Sequence, residues 1–125
     1  MMISIDLTDR RPIYEQLKEN VIRLAMLGVL APDEQLPSVR TLAKQLAVNP
    51  NTVQKAYQDL EHEGFIYSAP GRGSFISSGV SESKRLKEEA REGLQKACIQ
   101  CRLVNITKDE AAEIVSAAYR EKLEK

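Results

Sequence analysis

A mainly helical fold is what this sequence predicts: three short helices closed by a two-stranded hairpin, then a separate pair of helices. Three observations carry that expectation. Apolar residues recur at helical spacing in three early segments, and proline or capping residues mark the starts. A strand–turn–strand pattern centred on Gly71-Arg72-Gly73 follows the third. Beyond Gly79 the composition changes to a strongly charged helix with an apolar stripe.

The alternation in Ile3-Ser4-Ile5-Asp6-Leu7 predicts a short strand or extended arm. Pro12 suits the first position of a helix, whose buried stripe is Ile13, Leu17, Val21 and Leu24 and whose stop is Gly28. The stretch VLAPDEQLP then reads as a loop. Ser38 is a good N-cap for the second helix, because its hydroxyl can accept from free first-turn amides. Val39, Leu42, Ala43 and Leu46 form its inner face, and a turn follows at Ala47-Val48. Asn49 caps the third helix, Pro50 opens it, and Val53, Ala56, Tyr57 and Leu60 face inward. Gly64 ends it as a left-handed residue does. Phe65-Ile66-Tyr67 and Ser74 to Ser77 read as paired strands around a turn from Pro70 to Gly73. Gly79 and the run Val80 to Ser83 read as a hinge. In the tail, Leu86, Ala90, Leu94, Ala97, Cys98 and Cys101 make one stripe. Thr107 to Glu110 is a capping box, and Ala111, Ile114, Val115, Ala118 and Leu123 line the last helix.

These elements assemble into a winged helix–turn–helix over residues 1–79, followed by a two-helix segment over residues 80–125. At 125 residues the chain fits one domain and an appendage, and a hydrophobic content of 42% supports a core. Formal net charge is zero, so nothing global points to nucleic acid. The local pattern does. Pro37–Gln58 holds Arg40, Lys44 and Lys55 and no acid, while Asp33, Glu34, Asp59, Glu61 and Glu63 stand just outside it. A cationic helix–turn–helix of this kind is suited to a phosphate backbone.

The second helix of such a motif lies in the major groove with its N-terminal residues at the base edges. That places Asn51, Thr52, Gln54 and Lys55 outward, with Gln58 a turn further on. Asn and Gln bind adenine bidentately, and Thr offers a hydroxyl and a methyl. Arg40 and Lys44 are placed for phosphates, and the capped helix start at Ser38 lies beside them. Gly71-Arg72-Gly73 presents one cation on a bare turn, a shape that suits a narrow minor groove. The same residues also read as solvated helix faces and a solvated hairpin tip. No GK[ST] follows the glycines and no GxGxxG is complete, so the turn is no nucleotide cradle.

Residues 12–77 resemble the DNA-binding domain of the GntR family of bacterial transcription regulators. The blocks LPSVRTLA, VNPNTVQKAYQDLEHEGFI and GRGSFI stand in that family's order and spacing. The resemblance implies that Arg40, Asn51, Thr52, Gln54, Gly71 and Arg72 contact operator DNA. Many members have Arg where this chain has Pro50 or Gln54, a departure that bears on base preference rather than docking. Most members carry a large C-terminal effector domain. Here 46 residues follow Gly79, which resembles the YtrA-type subgroup with its short helical dimerisation tail. The resemblance implies a repressor of a nearby operon, of the kind that in this subgroup often encodes membrane transporters.

The apolar tail positions Leu86, Ala90, Leu94, Ala97, Ile114, Val115 and Ala118 need a cover, either the winged domain or a second chain. A homodimer on paired half-sites is the expectation. Cys98 and Cys101 are too few for a secreted disulfide framework. They read first as small apolar residues of the stripe, with a redox pair or a metal site shared between two chains as alternatives. His62 reads as a solvated or capping residue. Helical charge pairs such as Lys84–Glu88 and Glu92–Lys96 account for many of the carboxylates, so no enzyme constellation, cofactor or metal is expected. A winged module that binds protein rather than DNA is the competing class. The N-terminus lacks the basic and apolar regions of a signal peptide, and the longest apolar run, Leu24 to Ala31, is too short to span a bilayer. A cytoplasmic protein that makes no membrane contact is expected.

Overall fold

A computed structural model describes residues 3–80 and 83–123, and these two stretches form two compact units. The first contains α1 (Ile13–Met26), α2 (Val39–Leu46), α3 (Pro50–His62), β1 (Ile66–Ala69) and β2 (Gly73–Ile76). The second contains α4 (Lys84–Leu103) and α5 (Lys108–Arg120).

The first unit is built around α3. Its Val53, Ala56 and Leu60 are fully buried, Tyr57 nearly so, and the helix packs against both α1 and α2. Leu17, Val21 and Leu24 supply the α1 side, and Leu42 and Ala43 the α2 side. Ile13 is only half-buried, and Pro12 stands at the N-cap rather than at the first helical position. The Pro12 carbonyl accepts from Glu15 and Gln16 at 3.1 and 3.2 Å, so the proline still opens the helix. An ion-pair cluster on the rim adds to the α1–α3 contact: Lys18 Nζ lies 3.0 Å from Glu63 and 3.7 Å from Asp59. Partial burial pulls the Lys18 pKa down, but the Glu63 hydrogen bond and both carboxylate charges outweigh it and hold the ammonium above its usual range.

The capping residues sit as the sequence places them. Ser38 Oγ accepts from the Thr41 amide at 3.1 Å, and Asn49 Oδ1 from the Asn51 amide at 2.8 Å. Ala47 ends α2 in the left-handed region, φ 56°, where the turn of the helix–turn–helix reverses the chain. Gly64, φ 86°, does the same after α3, a conformation that a residue with a Cβ adopts at a cost.

β1 and β2 pair antiparallel, Ile66 opposite Ile76 and Tyr67 opposite Phe75. Phe65, Ile66, Phe75 and Ile76 are buried, while Tyr67 is exposed and stacks on Phe75 at 5.5 Å between ring centroids. The stretch read as a plain loop does more than connect. Leu30 and Leu36 are in the core, and Gln35 bridges to Phe75 as a third, isolated strand position. The N-terminal arm is docked on α1: Gln16 is buried, accepts from the Asp6 amide at 2.9 Å and donates to the Arg11 carbonyl at 3.0 Å. Asn20 accepts from the Ser4 amide at 2.8 Å, and Arg11 pairs with Asp9 and Glu19. Val80 is 7% exposed, so burial continues one residue past Gly79, and Ser81 and Glu82 of the expected hinge lie outside the described residues.

In the second unit Ser83 caps α4 and Thr107 caps α5, where Oγ1 accepts from the Glu110 amide at 3.2 Å. Ile106 donates to the Cys101 carbonyl at 2.9 Å around the left-handed Asn105, and this closes the turn between the helices. Neither helix has a buried residue. The charge pairs of α4 run Arg85–Glu89 and Glu88–Arg91, so Glu88 turns to Arg91 and not to Lys84. No helix among the described residues is long and apolar enough to cross a membrane.

Candidate nucleic-acid interface

Three pieces of the first unit carry the candidate residues: α2, the outward side of α3, and the tip of the wing. Arg40 and Lys44 are exposed, one turn apart on α2. Asn51, Gln54, Lys55 and Gln58 are exposed on α3 at spacings of three and four, one continuous face. Thr52 is half-buried, because its place between Asn51 and Val53 turns it toward the edge of the core. Lys55 is drawn back across its own unit, with its ammonium 3.8 Å from the centre of the Tyr14 ring on α1. A cation over an aromatic face gains electrostatic attraction, so this lysine is less free than its neighbours. The Ser38 hydroxyl is spent on the cap, accepting from the Thr41 amide and donating to Thr41 Oγ1 at 2.8 Å.

The wing tip lies beside the start of α2. Arg72, Gly73 and Ser74 share a shallow recess of about 300 Å³ with Gln35, Ser38, Val39 and Tyr57. Gly71 adopts φ 74°, and the Arg72 amide donates to the Ala69 carbonyl at 2.9 Å to close the turn. The Arg72 guanidinium lies 5.7 Å above the Phe75 ring. The Tyr57 hydroxyl donates to the Pro37 carbonyl at 2.7 Å, tying α3 to the residue before the α2 cap. Burial pushes the Tyr57 pKa up, so it stays a donor throughout the ordinary pH range.

The acids that flank the cationic window have partners of their own. Asp33 accepts from the Tyr67 hydroxyl at 2.7 Å, a bond that raises the tyrosine pKa. Glu34 accepts from the Ala31 amide at 3.0 Å, Glu61 from the Ser68 hydroxyl, and Asp59 and Glu63 pair with Lys18. Each is held by α1, by the wing or by its own loop, and among the described residues no carboxylate forms an ion pair with Arg40, Lys44, Lys55 or Arg72.

Sequence reasoning missed Gln35, Tyr57 as an α2 anchor, and Gly73 as a close-approach position. Their roles depend on partners 37, 20 and 38 residues away, beyond any periodic signal. In the tail, Leu86 is half-buried and Ala90, Leu94, Ala97, Ile114, Val115 and Ala118 are exposed. Leu94 and Ile114 are 55% and 57% exposed, and Tyr119, which the periodicity did not single out, is 88% exposed. Cys98 is exposed and Cys101 half-buried, both as free thiols, and His62 is exposed in the last turn of α3. Among the described residues no three His, Cys, Asp or Glu side chains gather as a metal site would require.

Comparison with known proteins bears on the same residues. Residues 12–76, just over half of the chain, match the gntR family of bacterial regulatory proteins. The HTH-type transcriptional repressor YtrA of Bacillus subtilis is 49% identical over 79 residues, 63% of this chain and 61% of that protein's length. Among solved structures, YtrA from Sulfolobus acidocaldarius, a GntR-family transcription factor, is 36% identical with a TM-score of 0.63, covering 79% of this chain and 99% of its own. The DNA-binding domain of AraR in complex with operator ORE1 is 30% identical with a TM-score of 0.52, covering 62% and 94%. The chain therefore belongs to the GntR family of bacterial regulatory proteins, DNA-binding transcription regulators with a winged helix–turn–helix reading head.

Proposed function

We propose that this protein is a cytoplasmic homodimeric repressor that reads a two-fold symmetric operator near the genes it controls, and that those genes include a transporter operon. The observation that carries the reading is the acid-free face of α2 and α3 beside the wing tip, with the flanking acids all engaged elsewhere. The relative named a repressor supports the sign of regulation. The transporter operon rests on analogy with the YtrA-type subgroup alone. The exposed apolar faces of α4 and α5 support the dimer, since large apolar patches rarely face water without a partner.

On this reading α3 enters the major groove. Asn51, Gln54 and the half-buried Thr52 address base edges, and Gln58 extends the face. Arg40 meets a phosphate or a base edge and Lys44 a phosphate, the backbone at the Ser38-capped start of α2 faces the same strand, and Lys55 reaches DNA by leaving Tyr14. Gly71 lets Arg72 approach the minor groove. Selection of bound duplexes from a random pool, followed by titration of the winner at two salt concentrations, tests the assignment. A half-site repeat about one helical turn apart, with steeply salt-dependent affinity, is the expected result. Salt-independent binding with no enriched sequence sinks it in favour of a protein-binding module.

Arg40→Ala is expected to weaken operator binding by about 1–3 kcal/mol if the side chain reaches a base edge. Fluorescence anisotropy at physiological salt reads this directly, and unchanged affinity strikes Arg40 from the contacts. Gln54→Ala is expected to relax preference at one position per half-site by about 1–3 kcal/mol while non-specific binding stays near the parent value. Equal loss on specific and non-specific duplexes reassigns Gln54 to the phosphate backbone.

A further inference from the structure

The residues from Asp33 to Ser38 are where wing, α2 and α3 meet. The Asp33 and Leu36 amides donate to the Ile76 and Ser74 carbonyls at 2.8 Å each, and Ile76 returns a bond to the Glu34 carbonyl at 3.0 Å. Pro37 is held by Tyr57 of α3, and Ser38 caps α2. From the middle of this strap the Gln35 side chain reaches the wing tip, where Nε2 donates to the Arg72 carbonyl at 2.7 Å.

Gly73 fits that contact. Its φ is 118°, and a Cβ there would stand 2.8 Å from Gln35 Nε2, closer than such atoms come. A Cβ at Gly71, by contrast, meets nothing within 4 Å. The tip therefore has a glycine on each side of Arg72, open space on one flank and the glutamine amide on the other. Glycines leave a turn wide conformational freedom, and an unrestrained tip has to be ordered at the moment of binding.

We infer that Gln35 is the positioning residue of the wing: by holding the Arg72 carbonyl against the strap, it sets where the Arg72 side chain meets DNA relative to Arg40 and the first turn of α3. This rests on the minor-groove reading of Arg72 given above. Gln35 is itself exposed and adds no apolar side chain to the core, so loss of its amide acts on the tip rather than on the fold. Gly73 is the complementary half of the device, the absent side chain that lets the amide in.

The test uses full-length Gln35→Met, which keeps the length of the side chain and removes the donor. Backbone 15N relaxation of Arg72 and Gly73 without DNA is expected to show a loosened tip, with the rest of the unit unchanged. Two operator duplexes that differ only in A·T-rich or G·C-rich flanks are then titrated. Discrimination between them is expected to fall about threefold to tenfold in Gln35→Met. It should fall no further when Gln35→Met is added to Arg72→Ala. A tip as ordered as the parent's overturns the inference. So does discrimination left intact by Gln35→Met while Arg72→Ala abolishes it. If Arg72→Ala itself leaves discrimination intact, the minor-groove reading fails and relaxation alone decides: a loosened tip keeps Gln35 as its positioning residue, and an ordered one removes it.

Discussion

Truncation after Val80 is expected to leave a folded, monomeric winged unit whose affinity for a palindromic operator falls by about 10²- to 10⁴-fold. The loss comes from geometry rather than from any deleted DNA contact. Two linked reading heads convert the second half-site into an intramolecular encounter, and separate heads do not. The cut belongs after Val80 and not after Gly79, because the valine is 7% exposed and its removal would take a buried side chain with it. The expected monomer follows from the tail's exposed Leu94, Ile99, Leu103, Ile114 and Tyr119, the apolar surface available to a second chain. Analytical ultracentrifugation of both forms, with titration on whole and half operators, separates the two effects. A truncated chain that still dimerises would locate the interface in the winged unit. Full-length Leu94→Glu with Ile114→Glu should reproduce the monomer, because two carboxylates in an apolar contact cannot be desolvated cheaply. Replacing Cys98 and Cys101 together by Ala should leave dimerisation and DNA binding intact if the thiols are plain members of the stripe. Loss of a response to oxidant or metal that the parent shows would make the tail a sensor.

Leu60→Ala is expected to cost about 2–5 kcal/mol of stability, the range for removing a fully buried leucine. Against a domain stability of about 5–15 kcal/mol, that is a large share of the total. Leu60 is 0% exposed on the helix that also carries Asn51 and Gln54. One face of α3 is the core and the opposite face carries the exposed Asn51 and Gln54 of the proposed DNA contact. Urea denaturation reads the loss, and binding measured on the folded fraction should stay near the parent value. A stability change below about 1 kcal/mol would mean that the site collapses without leaving a cavity.

Local chemistry made much of this protein legible from its sequence. Ser38, Asn49 and Thr107 cap helices because a side-chain oxygen reaches an amide two or three residues away, and that reach is written in the order of residues. The inner faces of α2 and α3 follow from the helical repeat, and Gly64 and Gly71 stand where the backbone turns left-handed. The acid-free window is a property of composition alone. Tertiary structure decided what has no period. Leu30 and Leu36 look like loop residues until the strap folds over the core, and Gln35 finds Arg72 only once β2 lies beside it. Lys55 looks outward on its own helix, and only the approach of α1 brings the Tyr14 ring under it. Gln16 and Asn20 sit on a helix like any polar residues, and become the anchors of the N-terminal arm when the chain doubles back. The physical division is one of range: contacts within a turn are set by neighbouring residue types, whereas contacts across 10 to 41 residues exist only after the core has brought their partners together.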